Sequence, residues 1–160
     1  SVVDLFLKEM NVDAASNENE AIRVASANGN TEIVQKLLER SEVNPGANDN
    51  EPIWMASANG HADIVQKLLE RPGVNPAAKD DTALIFAAKN GHTEIVRMLL
   101  TNSKVDLRAR GHFALFWASE NNHPDIVKLL INDGRVYIPP YRPHIVIRAA
   151  GHGDVDLVRF

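Results

Sequence analysis

The sequence predicts an all-α solenoid of stacked helix-turn-helix repeats joined by short finger loops. Three observations carry this. The stretch Ala56-Ser57-Ala58-Asn59-Gly60-His61-Ala62-Asp63-Ile64-Val65-Gln66-Lys67-Leu68-Leu69 returns at Ala25, Ala87 and Ala118, each copy 31 residues after the last, and fades from Ala149. Within each copy, apolar and small residues keep helical spacing on both sides of a Gly or Asn. Finally, a unit this short cannot bury an apolar face alone, so successive copies must stack in a line.

The register places one array over residues 1–160. It opens with a half repeat at 1–16, continues through full repeats at 17–47, 48–78, 79–109 and 110–140, and ends in a partial, degenerate repeat at 141–160. Val2, Val3, Phe6 and Leu7 stand 31 residues before Ile33, Val34, Leu37 and Leu38, and Leu157 and Val158 match Ile126 and Val127. Neither end resembles a polar cap, so a segment of a longer array is expected.

In each repeat the first helix comes first. Ile22, Ala25, Ser26 and Gly29 follow the i, i+3, i+4, i+7 spacing of one helical face, over about Glu20 to Asn28. Ile53, Ala56, Ser57 and Gly60 repeat the pattern, as do Leu84, Ala87, Ala88 and Gly91. The small middle residues allow close helix approach. Gly29, Gly60, Gly91 and Gly153 stop the helix where a left-handed residue is needed, and Asn122 takes that place in the fourth repeat. The second helix follows at once. Asn30, His61, His92, His123 and Asp154 occupy its N-cap column, and Pro124 favours the first helical position. Glu32, Asp63, Glu94, Asp125 and Asp156 put an acid in every first turn, where the helix dipole favours it. Ile-Val and Leu-Leu pairs supply the buried stripe. Val43, Val74, Val105 and Val136 read as buried anchors for the loop that follows. The polar fingers come next, Asn48-Asp49-Asn50-Glu51 and Lys79-Asp80-Asp81-Thr82.

These residues resemble the ankyrin repeat. Thr82-Ala83-Leu84, Ala87-Ala88, Gly91-His92, Glu94-Ile95-Val96 and Leu99-Leu100 stand where that family has Thr-Pro-Leu-His, Ala-Ala, Gly-His and a run of Val and Leu. Pro52-Ile53 matches the Pro-Leu step. Two departures matter. The step is 31 rather than 33 residues, and the missing finger Gly implies a shorter or more irregular loop than the family's hairpin. Arg23, Trp54, Ile85 and Phe116 stand at the His of Thr-Pro-Leu-His, so the bonds that His makes between repeats must be made otherwise. The resemblance implies a curved solenoid that binds other proteins along its concave side.

A helical wheel locates a candidate face. Opposite the core positions of the first helices stand Glu20, Val24 and Ala27, then Glu51, Met55 and Ala58, then Thr82, Phe86 and Lys89, then Phe113, Trp117 and Glu120. One column, Val24, Met55, Phe86 and Trp117, is apolar throughout. Two readings are open. It forms an exposed groove ending in an aromatic patch, or it packs between neighbouring first helices. Glu20, Glu51, Glu18, Asp49, Asp80 and Asp81 make the early part of the face acidic. The expected partner is therefore another protein or peptide, with a basic segment near the first repeats and an apolar one near the fourth.

Composition narrows the function classes. The chain is 44% hydrophobic, which argues against disorder, and has no cysteine, so it has neither disulfides nor thiolate metal sites. It shows no signal peptide and no run of ~20 apolar residues, so an intracellular, cytoplasmic or nuclear monomer without membrane insertion is expected. The net charge of −4 divides unevenly, with 13 acidic against 7 basic side chains in residues 1–80 and 8 against 10 in residues 81–160.

Catalytic and metal readings are weak. Histidines one repeat apart lie ~8–10 Å from each other, too far to share an ion bound at ~2 Å. No nucleophile elbow, phosphate loop or metalloprotease motif is present. No catalytic residue, metal site or cofactor is expected. Lys104, Arg108, Arg110, Arg135, Arg142 and Arg148, with Phe113, Trp117, Tyr137 and Tyr141 nearby, raise single-strand nucleic-acid binding. A pI of about 5.8 and the acidic first half weigh against it. Pro140-x-x-Pro143 matches a polyproline ligand superficially, but such short motifs are common by chance and a stiff connector is the expected reading. The expected function is thus a non-catalytic protein-interaction scaffold that uses the fingers and first helices. A structural spacer within a longer array is the alternative.

Overall fold

The computed structural model describes residues 19–136. The half repeat at 1–16, Glu18 and every reading made from Tyr137 onward lie outside the described residues. The chain divides into two compact units, Ser1–Asn75 and Pro76–Phe160.

In the first unit, α1 (Glu20–Ala27) and α2 (Thr31–Leu38) form one helix pair, and α3 (Ala47–Asn59) and α4 (Ala62–Leu69) form the next. First helix packs on first helix, second on second, and each on its own partner. The periodic residues make the core: Ile22, Ala25, Val34, Leu37, Ile53, Ala56, Ile64, Val65 and Leu68 are all buried. The second unit repeats the plan with α5 (Ala78–Lys89), α6 (Thr93–Thr101), α7 (Leu107–Glu120) and α8 (Pro124–Asp133). Leu84, Ala87, Ile95, Val96, Leu99, Leu115, Ala118, Ile126, Val127 and Leu130 fill its core. Val43, Val74 and Val105 are buried loop anchors as the pattern suggested. Val136 is only half-buried.

The turn between the helices of a pair is a glycine-dependent stop. Gly29, Gly60 and Gly91 have φ of +77°, +82° and +82°, and Asn122 substitutes at +61°. The amide of the next residue reaches back five residues, Asn30 to the Ala25 carbonyl at 3.0 Å and His123 to the Ala118 carbonyl at 2.9 Å. This closes the end of the first helix as a Schellman turn. The next residue then starts the second helix without help from its side chain. Asn30, His61, His92 and His123 make no side-chain capping bond. The capping role assigned from sequence is thus corrected: the position is the N-cap, but the side chain does not make the capping bond.

The fingers differ from a hairpin. Asn48, Asp49 and Asn50 adopt φ of 50°, 53° and 61°, and Lys79, Asp80 and Asp81 adopt 51°, 58° and 62°. Each finger is a single left-handed turn run directly into the right-handed first helix. Left-handed residues cost roughly 1–2 kcal/mol each unless they are Gly or, less severely, Asn or Asp. Five of these six positions are Asn or Asp; Lys79 is the exception. The right-handed part begins only at Glu51, which puts Pro52 in its first turn, where proline is tolerated. Among the described residues there is no strand.

The third residue of each finger turns inward. The Asn19 Oδ1 accepts the Asn44 amide at 2.8 Å, and the Asn50 Oδ1 accepts the Asn75 amide at 2.5 Å. Each bond ties a finger to the loop that leads to the following repeat. Asp81 stands next in this column and is buried too. In the second unit, Arg135 braces the loop after α6. Its guanidinium donates to the carbonyls of Leu100 at 2.7 Å and Val105 at 3.3 Å, while its Nε and Nη2 donate to the Asp133 carboxylate at 2.6 and 2.9 Å. The Arg135 hydrogen bond keeps the Asp133 carboxyl below the usual carboxylate range.

Candidate partner-binding face

The face opposite the core is set by the first helices, and each unit presents its own portion. In the first unit Val24 is 40% exposed and Met55 half-buried. Beside them, Glu20 and Glu51 flank Arg23. The Arg23 guanidinium pairs closely with Glu20 and approaches Glu51 at 3.7 Å. It also lies 4.0 Å from the Met55 sulfur. The arginine at the family's His position thus lies between two of the acids that make the early part of the face acidic and neutralises part of their charge. The spacing held the signal, since Glu20 and Arg23 are three apart on one helix.

In the second unit Phe86 is 37% exposed and Trp117 half-buried. The Lys89 ammonium lies 4.5 Å from the Trp117 ring centre and 5.8 Å from that of Phe86. Both distances are within cation–π range. Phe116 meets Trp117 edge-on with centroids 5.3 Å apart. The Arg110 guanidinium sits 5.4 Å above Phe113 and pairs with Asp80 at 2.9 Å. Lys79, Asp80, Ile85, Arg110, Phe113 and Trp117 line a shallow pocket of about 230 Å³. Lys79, Ile85 and Arg110 were not among the face residues expected from sequence. Arg110, near the start of α7, reaches Asp80 one repeat back, a pairing that a single-helix wheel cannot show.

The remaining expected residues divide. Glu120 and Asp49 are exposed. Thr82 is half-buried, and its hydroxyl donates to the Lys79 carbonyl at 2.5 Å, bracing the left-handed turn. Asp81 is 4% exposed and cannot meet a partner at the surface. Its Oδ1 has no hydrogen-bond partner. Burial pushes its carboxyl up to about 6, and the carboxylates of Asp106 and Asp80 add to the shift.

Within each unit a histidine of this column, His61 in the first and His123 in the second, stitches its repeat to the previous one. His61 Nε2 lies 3.1 Å from the Ala27 carbonyl, and His123 Nε2 lies 3.0 Å from the Lys89 carbonyl. Asn59 donates to the same Ala27 oxygen at 2.9 Å. The ring lies against the preceding Gly: a Cβ on Gly29 would stand 2.6 Å from His61 Cε1, and one on Gly91 as close to His123. Carbonyls freed at the end of one first helix are thus satisfied from the next repeat. Among the described residues, no three His, Asp or Glu side chains converge so as to hold a metal ion. Among the same residues, no helix is long and apolar enough to cross a membrane.

The family model for ankyrin repeats (3 copies) matches residues 1–80 and residues 53–138. No curated protein matches the sequence.

Proposed function

The chain belongs to the ankyrin repeat family, whose members are generally protein-interaction modules without catalysis of their own, and from that premise we propose that it is a scaffold binding a partner protein on the face formed by fingers and first helices. The observation that carries the reading is the exposure of apolar residues opposite the core, Val24 in the first unit and Phe86 in the second. Of the two readings of that column, exposure favours the groove. Half-buried aromatic anchors held by their neighbours, such as Trp117 and Phe113, are the kind that dominate binding energy. The basic segment expected of the partner would have to compete with Arg23 for Glu20 and Glu51.

The test is affinity capture with the folded chain, with Phe113→Ala/Trp117→Ala, and with Arg97→Ala, which alters an exposed residue of a second helix. Proteins retained by wild type and Arg97→Ala but lost to the aromatic double variant support the reading. An identical captured set for all three leaves the spacer alternative in its place.

A further inference from the structure

We propose that the second unit's face takes a peptide segment in which a carboxylate sits within one or two residues of a bulky apolar side chain. This rests on the scaffold reading and specifies the partner's chemistry.

Lys89 carries the argument. Its ammonium lies over Trp117 and Phe86, and among the described residues it has no carboxylate partner. The other cations on the candidate face whose ion pairs are described are already engaged, Arg23 with Glu20 and Glu51, and Arg110 with Asp80. A cation resting on aromatic rings has lost part of its hydration without gaining an anion. An incoming carboxylate supplies that anion while the rings still hold the ammonium in place.

The pocket supplies the second half. At about 230 Å³ it is smaller than the ~300–1,000 Å³ of small-molecule sites. It suits one bulky side chain, resting on Ile85, Phe113 and Trp117. Trp117 both lines the pocket and lies under Lys89. The two recognition points therefore share one residue. An extended chain advances ~3.3–3.6 Å per residue, so the two groups that satisfy them must be near neighbours in the partner.

A single nucleic-acid strand is the competing occupant, because its bases stack and its phosphates are anionic. It needs a run of cations along its backbone. Here Arg110 is committed to Asp80, Asp80 and Glu120 are exposed on the same face, and the chain carries a net charge of −4.

The experiment is selection of displayed random dodecapeptides on the immobilised full chain. Binding of the synthetic winners is then measured by fluorescence anisotropy, with labelled oligo-dT as a parallel probe. The expected winners place Asp or Glu within two residues of Phe, Leu, Met or Trp. Lys89→Gln, which removes the charge and keeps a polar side chain, should weaken them roughly three- to tenfold, and Lys89→Glu more. Winners lost to Phe113→Ala but indifferent to Lys89→Gln would overturn this inference and leave the scaffold reading standing. Winners indifferent to both Phe113 and Lys89, or no winners at all, would overturn the inference, and the first of these would count against the face itself. Oligo-dT binding that is tighter than the peptides and falls steeply with salt would assign the face to nucleic acid.

Discussion

Asp81→Asn should stabilise this protein at neutral pH and do nothing for it in acid. In the two preceding copies of the position, Asn19 and Asn50 are buried and accept a loop amide. Asp81 brings a carboxylate to the same kind of site, 4% exposed, with Oδ1 unpartnered. Burial raises its pKa from 3.8 to about 6. The folded state therefore holds this proton more tightly than the unfolded chain. The group's favourable contribution is complete below the unfolded pKa near 4 and is lost as pH rises through 6. About two pKa units at 1.36 kcal/mol each set a ceiling of ~3 kcal/mol by pH 7.5. Relaxation of the finger reduces this, so ~1–3 kcal/mol is the expected gain. Urea unfolding followed by far-UV circular dichroism at pH 4 and pH 7.5 checks it. Comparing midpoint shifts suits a repeat array, whose unfolding need not be two-state. The reasoning is refuted if Asp81→Asn destabilises at pH 7.5, or if its effect is the same at both pH values.

Three further outcomes follow from other columns. Ser57→Ala should be neutral or stabilising by up to ~1 kcal/mol: the buried Ser57 hydroxyl has no hydrogen-bond partner, and Ala88 fills the same place one repeat on. A thermal midpoint several degrees lower would contradict this. Gly91→Ala should cost ~2–4 kcal/mol, from a left-handed alanine plus the clash with the His123 ring. In a His123→Ala background only the backbone part, ~1–2 kcal/mol, should remain; an unchanged penalty in a double-mutant cycle would mean that the ring is not the obstacle. In a Trp54→Phe background, iodide should quench Trp117 better than caesium does, because Lys89 lies 4.5 Å from the ring. Lys89→Gln should cut that preference roughly twofold; equal ratios in the two proteins would place the ammonium elsewhere.

Much of this was legible before any coordinates. A strict 31-residue step turns single-residue guesses into columns, and a column of Gly with one Asn has few explanations besides a left-handed stop. The core followed from spacing for the same reason, since Ile22, Ile53, Leu84 and Leu115 share one position. What escaped were side-chain directions across repeats. His61 and His123 stand in N-cap places, and local rules assign such residues to their own helix. Their rings instead reach the previous repeat, because the glycine beside them leaves room. Asp81 looked like one more finger acid. Only the left-handed backbone of Lys79, Asp80 and Asp81 turns it inward, and no periodicity reports backbone handedness. Arg110 escaped because a wheel ranks residues by face, whereas an ion pair across repeats depends on reach; the Arg23 pair was legible in its three-residue spacing from Glu20.

The left-handed turns at Asn48–Asn50 and Lys79–Asp81 also limit how a partner can be held. A hairpin finger offers an open strand edge whose amides and carbonyls can recruit an extended segment by strand addition. These two fingers have no such edge. Main-chain zippering, which accepts almost any sequence, is closed to them, and selectivity at the fingertips falls to the side chains they display.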